Sequence, residues 1–267
     1  MSIMLDGETK LFPIIGDPIA QVKSPALLTG IMNARGINGL VVPIHVAPED
    51  VATFFSGILT AQNVGGLIAT VPHKSASIAL CDSPSERAAF IGSVNVMRRE
   101  ADGRWVGDNT DGQGYMDGVK ERGFDIEGKR ALLVGVGGAG SAVAYEILER
   151  GAAFLAIHDL NTDRREQTIA RLNERFAGRV SAGSSDPTGF DFVANVTPVG
   201  MRESDPLPVD AEKLIGTEFV ADAITRPEVT PMLALARDKG CKTMPGLGMF
   251  NAQADILVDY LLGQTSA

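Results

Sequence analysis

The sequence predicts an α/β fold in two units, with mostly parallel sheets. Three observations predict it. Short apolar strand-like runs alternate with helical patterns along most of the 267 residues. Residues 131–141, ALLVGVGGAGS, carry an apolar run into a glycine cluster that opens a helical pattern. A polar turn at residues 125–129 falls within a natural boundary near residues 110–130.

In the first unit, residues 11–16 read as a short buried strand. Residues 25–34 read as a helix with Ser24 as N-cap and Pro25 at its first position. A β-branched strand covers 39–46, and Pro43 places it near an edge or a bulge. Residues 48–50 start a helix whose apolar face is Val51, Phe54, Phe55 and Ile58. A strand at 66–70 is stopped by Pro72, and 93–99 with 104–106 form a hairpin across 101–103. In the second unit, strands are expected at 154–158, 190–195, 219–222 and 242–244, with helices between them. The last helix is expected at about 252–262.

Gly135, Gly137 and Gly140 stand at G-x-G-x-x-G spacing. The first glycine permits a tight turn, the second lets backbone approach a pyrophosphate, and the third lets the helix pack on the strand. The spacing alone is a weak signal. Here a strand precedes it, a helix follows, and a second strand ends at Asp159. That acid lies about 20 residues beyond the turn, where a ribose diol is gripped. The other role open to Asp159 is to cap the helix that follows it.

Hydrophobic residues make up 45% and charged residues 21%, and the net charge is −9. This balance argues against nucleic acid or an anionic membrane as the main partner. Cys81 and Cys241 stand in no metal-ligand spacing, and free thiols in a reducing cytoplasm are expected. His45, His73 and His158 have no spacing that suggests a metal, so no metal is expected. His73 is expected to point away from Lys74 on an extended segment. Residues 1–10 are polar and read as no signal peptide, and no apolar run reaches spanning length. The partner is a small-molecule substrate, with monomer and homodimer both open.

Six further segments carry a resemblance. They are 16–25 (GDPIAQVKSP), 70–74 (TVPHK), 92–95 (GSVN) with 107–112 (GDNTDG), 195–201 (NVTPVGM) and 246–253 (GLGMFNAQ). Together, in this order, they resemble the shikimate dehydrogenase family over nearly the whole chain. The resemblance implies a substrate domain at 1–110 with a returning C-terminal helix at about 247–267. It also implies a C-terminal Rossmann NAD(P)-binding domain at 111–246. The reaction it implies is reversible hydride transfer between a nicotinamide and a ring carbon carrying a hydroxyl or ketone.

By the same resemblance, Lys74 and Asp111 are the catalytic pair. A charged lysine can donate a proton to a developing alkoxide, and a carboxylate orients it. Which of the two moves the proton is left open, because coupled groups titrate as a pair. Read on residue type alone, Lys74 is a solvated lysine and Asp111 a turn former. Ser24, Thr70, Asn95 and Gln253 match substrate-binding positions, and amides both donate to and accept from hydroxyls. The implied cofactor set is Gly135, Gly137, Gly138, Ala139, Gly140, Asp159, Asn161, Arg164, Thr197, Pro198, Gly246 and Met249.

The chain also departs from the family pattern. Val22 replaces a serine that grips the substrate carboxylate, Ile68 an asparagine, and Thr225 a tyrosine. Each loss removes a contact worth about 1 kcal/mol. Arg226 is a candidate to replace the carboxylate contact. Residues 159–161, Asp-Leu-Asn, stand where NADP-using members carry Asn-Arg-Thr. Asp159 repels a 2′-phosphate, which favours NAD, while Arg164 and Arg165 keep NADP open. Three functions compete: a dehydrogenase of shikimate or a close relative, a quinate or broader polyol dehydrogenase, and a ligand sensor with little turnover. Loss of turnover in Lys74→Ala separates the enzymes from the sensor.

Overall fold

The computed structural model describes residues 5–264. Residues 1–4 of the polar opening and 265–267 of the tail lie outside them. The chain divides into two compact units, one running to Thr110 and resuming at Ala254, the other Asp111–Gln253.

The first unit comprises β1 (Lys10–Gly16), α1 (Ser24–Ala34), β2 (Gly39–His45), α2 (Val51–Ile58), β3 (Gly66–Ala69), α3 (Lys74–Ser77), β4 (Ser83–Pro84), α4 (Glu86–Ile91), β5 (Val96–Arg99) and β6 (Trp105–Asp108). Its sheet runs β2-β1-β3-β5-β6-β4. β1 pairs parallel with β2 and β3, and β5 runs antiparallel to β3 and β6. Pro43 does sit on an edge strand, where its missing N–H leaves no ladder gap. Both faces are covered. On β1, Ile14 and Ile15 enter different apolar clusters, as do Ile68 and Leu67 on β3. The Ile14 face packs Leu28 and Met32 of α1 with Leu257 and Val258 of the C-terminal helix.

The second unit comprises α5 (Asp111–Glu121), β7 (Arg130–Val134), α6 (Gly138–Glu149), β8 (Phe154–His158), α7 (Thr162–Arg175), β9 (Val180–Ala182), β10 (Phe192–Asn195), β11 (Phe219–Asp222), α8 (Pro231–Asp238), β12 (Lys242–Met244) and α9 (Gly246–Leu261), whose C-terminal part belongs to the first unit. Its sheet is parallel throughout, in the order β12-β11-β10-β7-β8-β9. The order reverses between β7 and β10. In such sheets a ligand binds beyond the carboxyl ends of the strands at that switch point.

Four local expectations are corrected. Ser24 is the first residue of α1 and Lys23 its N-cap, with Pro25 in the first turn, where a missing N–H costs nothing. His73 lies in a turn before α3, not on an extended segment. Residues 48–50 form a 3₁₀ turn before α2. α9 begins at Gly246, so 246–251 are helical although two glycines weaken the pattern there. No described helix is long and apolar enough to cross a membrane.

Candidate active site

In the first unit, main-chain bonds gather three of the motif segments at the carboxyl ends of β1 and β3. Asp17 N donates to Val71 O (3.0 Å) and Thr70 N to Ile15 O (2.9 Å). Ala69 N donates to Asn95 O (2.8 Å), and Val94 N to Lys74 O (2.9 Å). Thr70, Lys74 and Asn95 are thereby set around one end of the sheet. Lys74 is half-buried at the start of α3. His73 is buried and its Nε2 bonds Val46 O (2.7 Å), so the ring turns into the protein. Ser24 is buried at the start of α1.

Val22 and Ile68 share one environment. Ile68 is only 4% exposed and belongs to the Ile14 cluster, and Val22 packs against that same cluster. The two departures therefore both add apolar bulk to one core cluster.

The GDNTDG turn divides its labour. Asp108 accepts from Ser85 Oγ and from the Arg87 guanidinium. Asn109 Nδ2 donates to Ser93 Oγ (2.8 Å). Asn95 Oδ1 accepts from Thr110 N (2.9 Å). These residues hold the turn. Asp111 is not a turn residue but the first residue of α5, 2% exposed, and Gln253 Nε2 donates to its Oδ1 (3.0 Å). The bond joins α5 to the middle of α9, at the last residue of the second unit.

This approach depends on Gly114, where a Cβ would meet Gln253 Cβ at 2.5 Å and its Cα at 3.0 Å. Alanine in a helix interior usually gains up to about 1 kcal/mol over glycine. Here the clash outweighs that gain. Gly114→Ala is expected to lose about 1–3 kcal/mol in a denaturant melt. It should also raise the substrate KM by moving Gln253 off Asp111.

A cleft of about 500 Å³ lies in the second unit at the switch point. Gly135 and Gly137 line it after β7, and Thr197 and Pro198 after β10. Gly135 has φ +92°, and a Cβ there would also strike Thr197. Gly140 sits directly against the Gly135 carbonyl, so α6 starts hard on the turn. At Gly137 and Gly138 a Cβ would meet nothing. The cradle beside the start of α6 is therefore open, and its N–H groups suit a pyrophosphate.

Asp159 lines the cleft and is 5% exposed. Its Oδ2 accepts from Val136 N (2.9 Å) and its Oδ1 from Asn161 N (2.8 Å). Arg164 Nη2 pairs with it at 2.7 Å. Burial pushes the Asp159 carboxyl up, but Arg164 and the two backbone N–H groups outweigh it and hold it below its ordinary value. Asp159 is not the cap of α7. That role belongs to Asn161, whose side chain accepts from Arg164 N (2.9 Å), because the helix starts at Thr162. Arg165 is bound to Glu166.

Of the expected cofactor residues, Gly135, Gly137, Asp159, Arg164, Thr197 and Pro198 line the cleft. Gly138, Ala139, Gly140, Asn161, Gly246 and Met249 do not. Gly246 packs on the Ala223 and Ile224 carbonyls. Sequence reasoning missed His158, Leu160 and Pro206 on the cleft wall. The first two flank Asp159 and could have been inferred from it. Arg226 lines a separate hollow with Arg202 and Glu203.

A doubly wound parallel sheet with this cleft, in a chain whose other unit presents a half-buried lysine among polar side chains, defines the class. It is an NAD(P)-dependent oxidoreductase acting on a CH–OH group. Residues 14–97 match the family model described as shikimate dehydrogenase substrate binding domain. A shikimate dehydrogenase (NADP(+)) of Rubrobacter xylanophilus is 36% identical over 248 residues, 91% of this chain and 87% of that one. The 5-ketofructose reductase of a Gluconobacter species is similar at 30% identity with TM-score 0.87, covering 97% of this chain and 95% of that one. The quinate dehydrogenase of Corynebacterium glutamicum, solved in complex with NAD, has TM-score 0.87 at 28% identity, covering 96% and 94%. The chain belongs to the shikimate dehydrogenase family.

Proposed function

We propose that this chain catalyses reversible hydride transfer between NAD and a ring carbon of shikimate or a closely related cyclic hydroxy acid. Lys74 and Asp111 are its catalytic pair. When bound, a nicotinamide gives or takes the hydride. Gly135, Gly137 and the start of α6 would hold the pyrophosphate, and Asp159 the adenosine ribose. The Lys74 ammonium stabilises the oxygen as it becomes an alkoxide and supplies its proton. Asp111, oriented by Gln253, holds the neighbouring substrate hydroxyl. Ser24, Thr70 and Asn95 bind the rest of the substrate's polar edge.

The observation that carries the cofactor reading is Asp159. A buried carboxylate lines the cleft just after β8, already paired with Arg164. A 2′-phosphate would meet like charge there, and Arg164 would have to leave its partner to compensate. This differs from the NADP(+) in the names of the curated relatives. The free cysteines Cys81 and Cys241 favour a reducing cytoplasm. Monomer and homodimer suit the reading equally.

A second reading, a quinate or broader polyol dehydrogenase, is favoured by the apolar Val22 and Ile68, which share one cluster, and by the likeness to a ketofructose reductase. The test is an assay of shikimate, quinate, less hydroxylated relatives and a ketosugar, each with NAD and NADP. Shikimate is expected to be a weak substrate, and Val22→Ser with Ile68→Asn to raise its kcat/KM. Ile68→Asn buries an amide, so a melting cost of about 1–3 kcal/mol accompanies the gain. Strong shikimate turnover by the wild type, or no gain in the double variant, overturns the pocket argument.

A further inference from the structure

We propose that Asp222 is a positioning residue for the cofactor wall, holding the 197–199 turn in its binding shape through Asn195. The inference rests on the reading of the cleft as a dinucleotide site. Asp222 and Asn195 end β11 and β10 in register, and both are 0% exposed. Asn195 Oδ1 accepts from Thr197 N (3.1 Å) and Thr197 Oγ1 (2.7 Å). Its Nδ2 donates to Val199 O (3.1 Å) and to Asp222 Oδ1 (3.2 Å). Thr197 Oγ1 in turn accepts from Val199 N (3.1 Å). The turn that walls the cleft is thus anchored on one amide, and that amide is oriented by one carboxylate. Asp222 also accepts from Ile224 N (2.9 Å) and from Thr230 Oγ1 (2.8 Å), the N-cap of α8.

Every group on Asp222 is a donor. The charged carboxylate strengthens all of these bonds; a proton added at Oδ2 is accepted by the Thr230 hydroxyl, and the Asn195 bond to Oδ1 then loses its charge assistance. Asn195 is the partner that matters for the cleft, because rotating its amide inverts every contact it makes to the turn. Burial pushes the Asp222 carboxyl up to about 6, although the surrounding donors pull the other way. Among the described residues the titratable side chain coupled to it is Tyr115 of α5. Burial and the Asp222 charge hold its phenol well above its ordinary value, so it stays neutral in this range. Asp159, also on the cleft, is held below its ordinary value.

Dinucleotide affinity is therefore full above pH 6 and falls as Asp222 takes up its proton. Global stability has the opposite sign. A carboxyl raised by burial contributes stability below its unfolded value that is lost as pH rises through about 6. On Asp222's account the melting temperature does not drop on going from pH 7 to pH 5.5, so weakened binding there is local to the turn.

The experiment titrates NADH and NADPH by fluorescence into the whole protein between pH 5 and 8. It is run on the wild type and Asp222→Asn, and both are repeated in a His158→Gln background because His158 also lines the cleft. The wild type is expected to bind about tenfold more weakly at pH 5 than at pH 7.5, the worth of one hydrogen bond to a charged group, with no accompanying fall in melting temperature on Asp222's account. Asp222→Asn is expected to bind weakly and without a pH step. Its dinucleotide KM should rise while kcat at saturation stays within about twofold. A flat wild-type profile, or the same step in Asp222→Asn, overturns the proposal. If Asp222→Asn fails to fold, a step lost in His158→Gln alone also overturns it. Failure of both dinucleotides to bind at any pH instead overturns the cofactor reading.

Discussion

Lys74→Ala is expected to lower kcat by about 10³-fold while leaving the affinity for the dinucleotide unchanged. The size follows from the task. Reducing a ketone builds negative charge on one oxygen, and that charge needs both a stabilising cation and a proton. Removing a positioned donor of this kind costs several powers of ten, and water fills the gap poorly. The separation of effects follows from the fold. Lys74 opens α3 in the first unit, whereas the dinucleotide cleft is built within the second. The Lys74 carbonyl is bonded to Val94 N, and a backbone bond survives the substitution, so the melting temperature should barely move. Lys74→Arg restores only part of the rate, because a planar guanidinium keeps the charge but not the compact ammonium. Asp111→Asn can still accept from Gln253, so it tests the charge of Asp111 apart from its place. A Lys74→Ala enzyme that keeps more than about a tenth of its kcat would remove Lys74 from proton transfer. A wild type that binds ligand without turnover would instead favour the sensor.

Much of this was legible because it rests on local chemistry. The glycine turn could be read from 131–141, since a tight turn and a close helix start both forbid side chains at fixed positions. Strands such as β8 and β11 are buried runs bounded by turn formers, and runs of that kind survive any packing. Other features depend on partners distant in sequence. The hold of Arg87 and Ser85 on Asp108 ties the first aspartate of GDNTDG to the turn, yet 21 residues separate Arg87 from Asp108. β4 is two residues long and carries no periodicity to detect. Ile68 looked like a lost substrate contact and proved also to be a core residue, because neighbours on β3 face opposite clusters. Asp159 could be picked out from its place at the end of β8, but its hold on Val136 and Arg164 could not be seen without the fold.

Asp159→Asn with Leu160→Arg is expected to raise the NADP-to-NAD ratio of kcat/KM by about a thousandfold. Two terms add. The aspartate charge that opposes a 2′-phosphate is removed, and Arg164 is released from it. Leu160 is 89% exposed on the cleft wall, so an arginine there has room to reach a phosphate and costs the fold little. Two charge-assisted bonds at roughly 1.5–3 kcal/mol each span the expected change. Asparagine keeps an acceptor for Val136 N, so the glycine turn holds, and Asn161 is left in place because it caps α7. The single variants divide the effect. Leu160→Arg alone should gain less, since its guanidinium would share Asp159 with Arg164 and turn toward the carboxylate rather than the phosphate. Steady-state kinetics with both cofactors at low salt reads the outcome, and rising salt should shrink the gain because part of it is Coulombic. A wild type that already prefers NADP would mean that Arg164 abandons Asp159 when a phosphate arrives. The buried carboxylate would then serve to hold the glycine turn through Val136, with no part in choosing the cofactor.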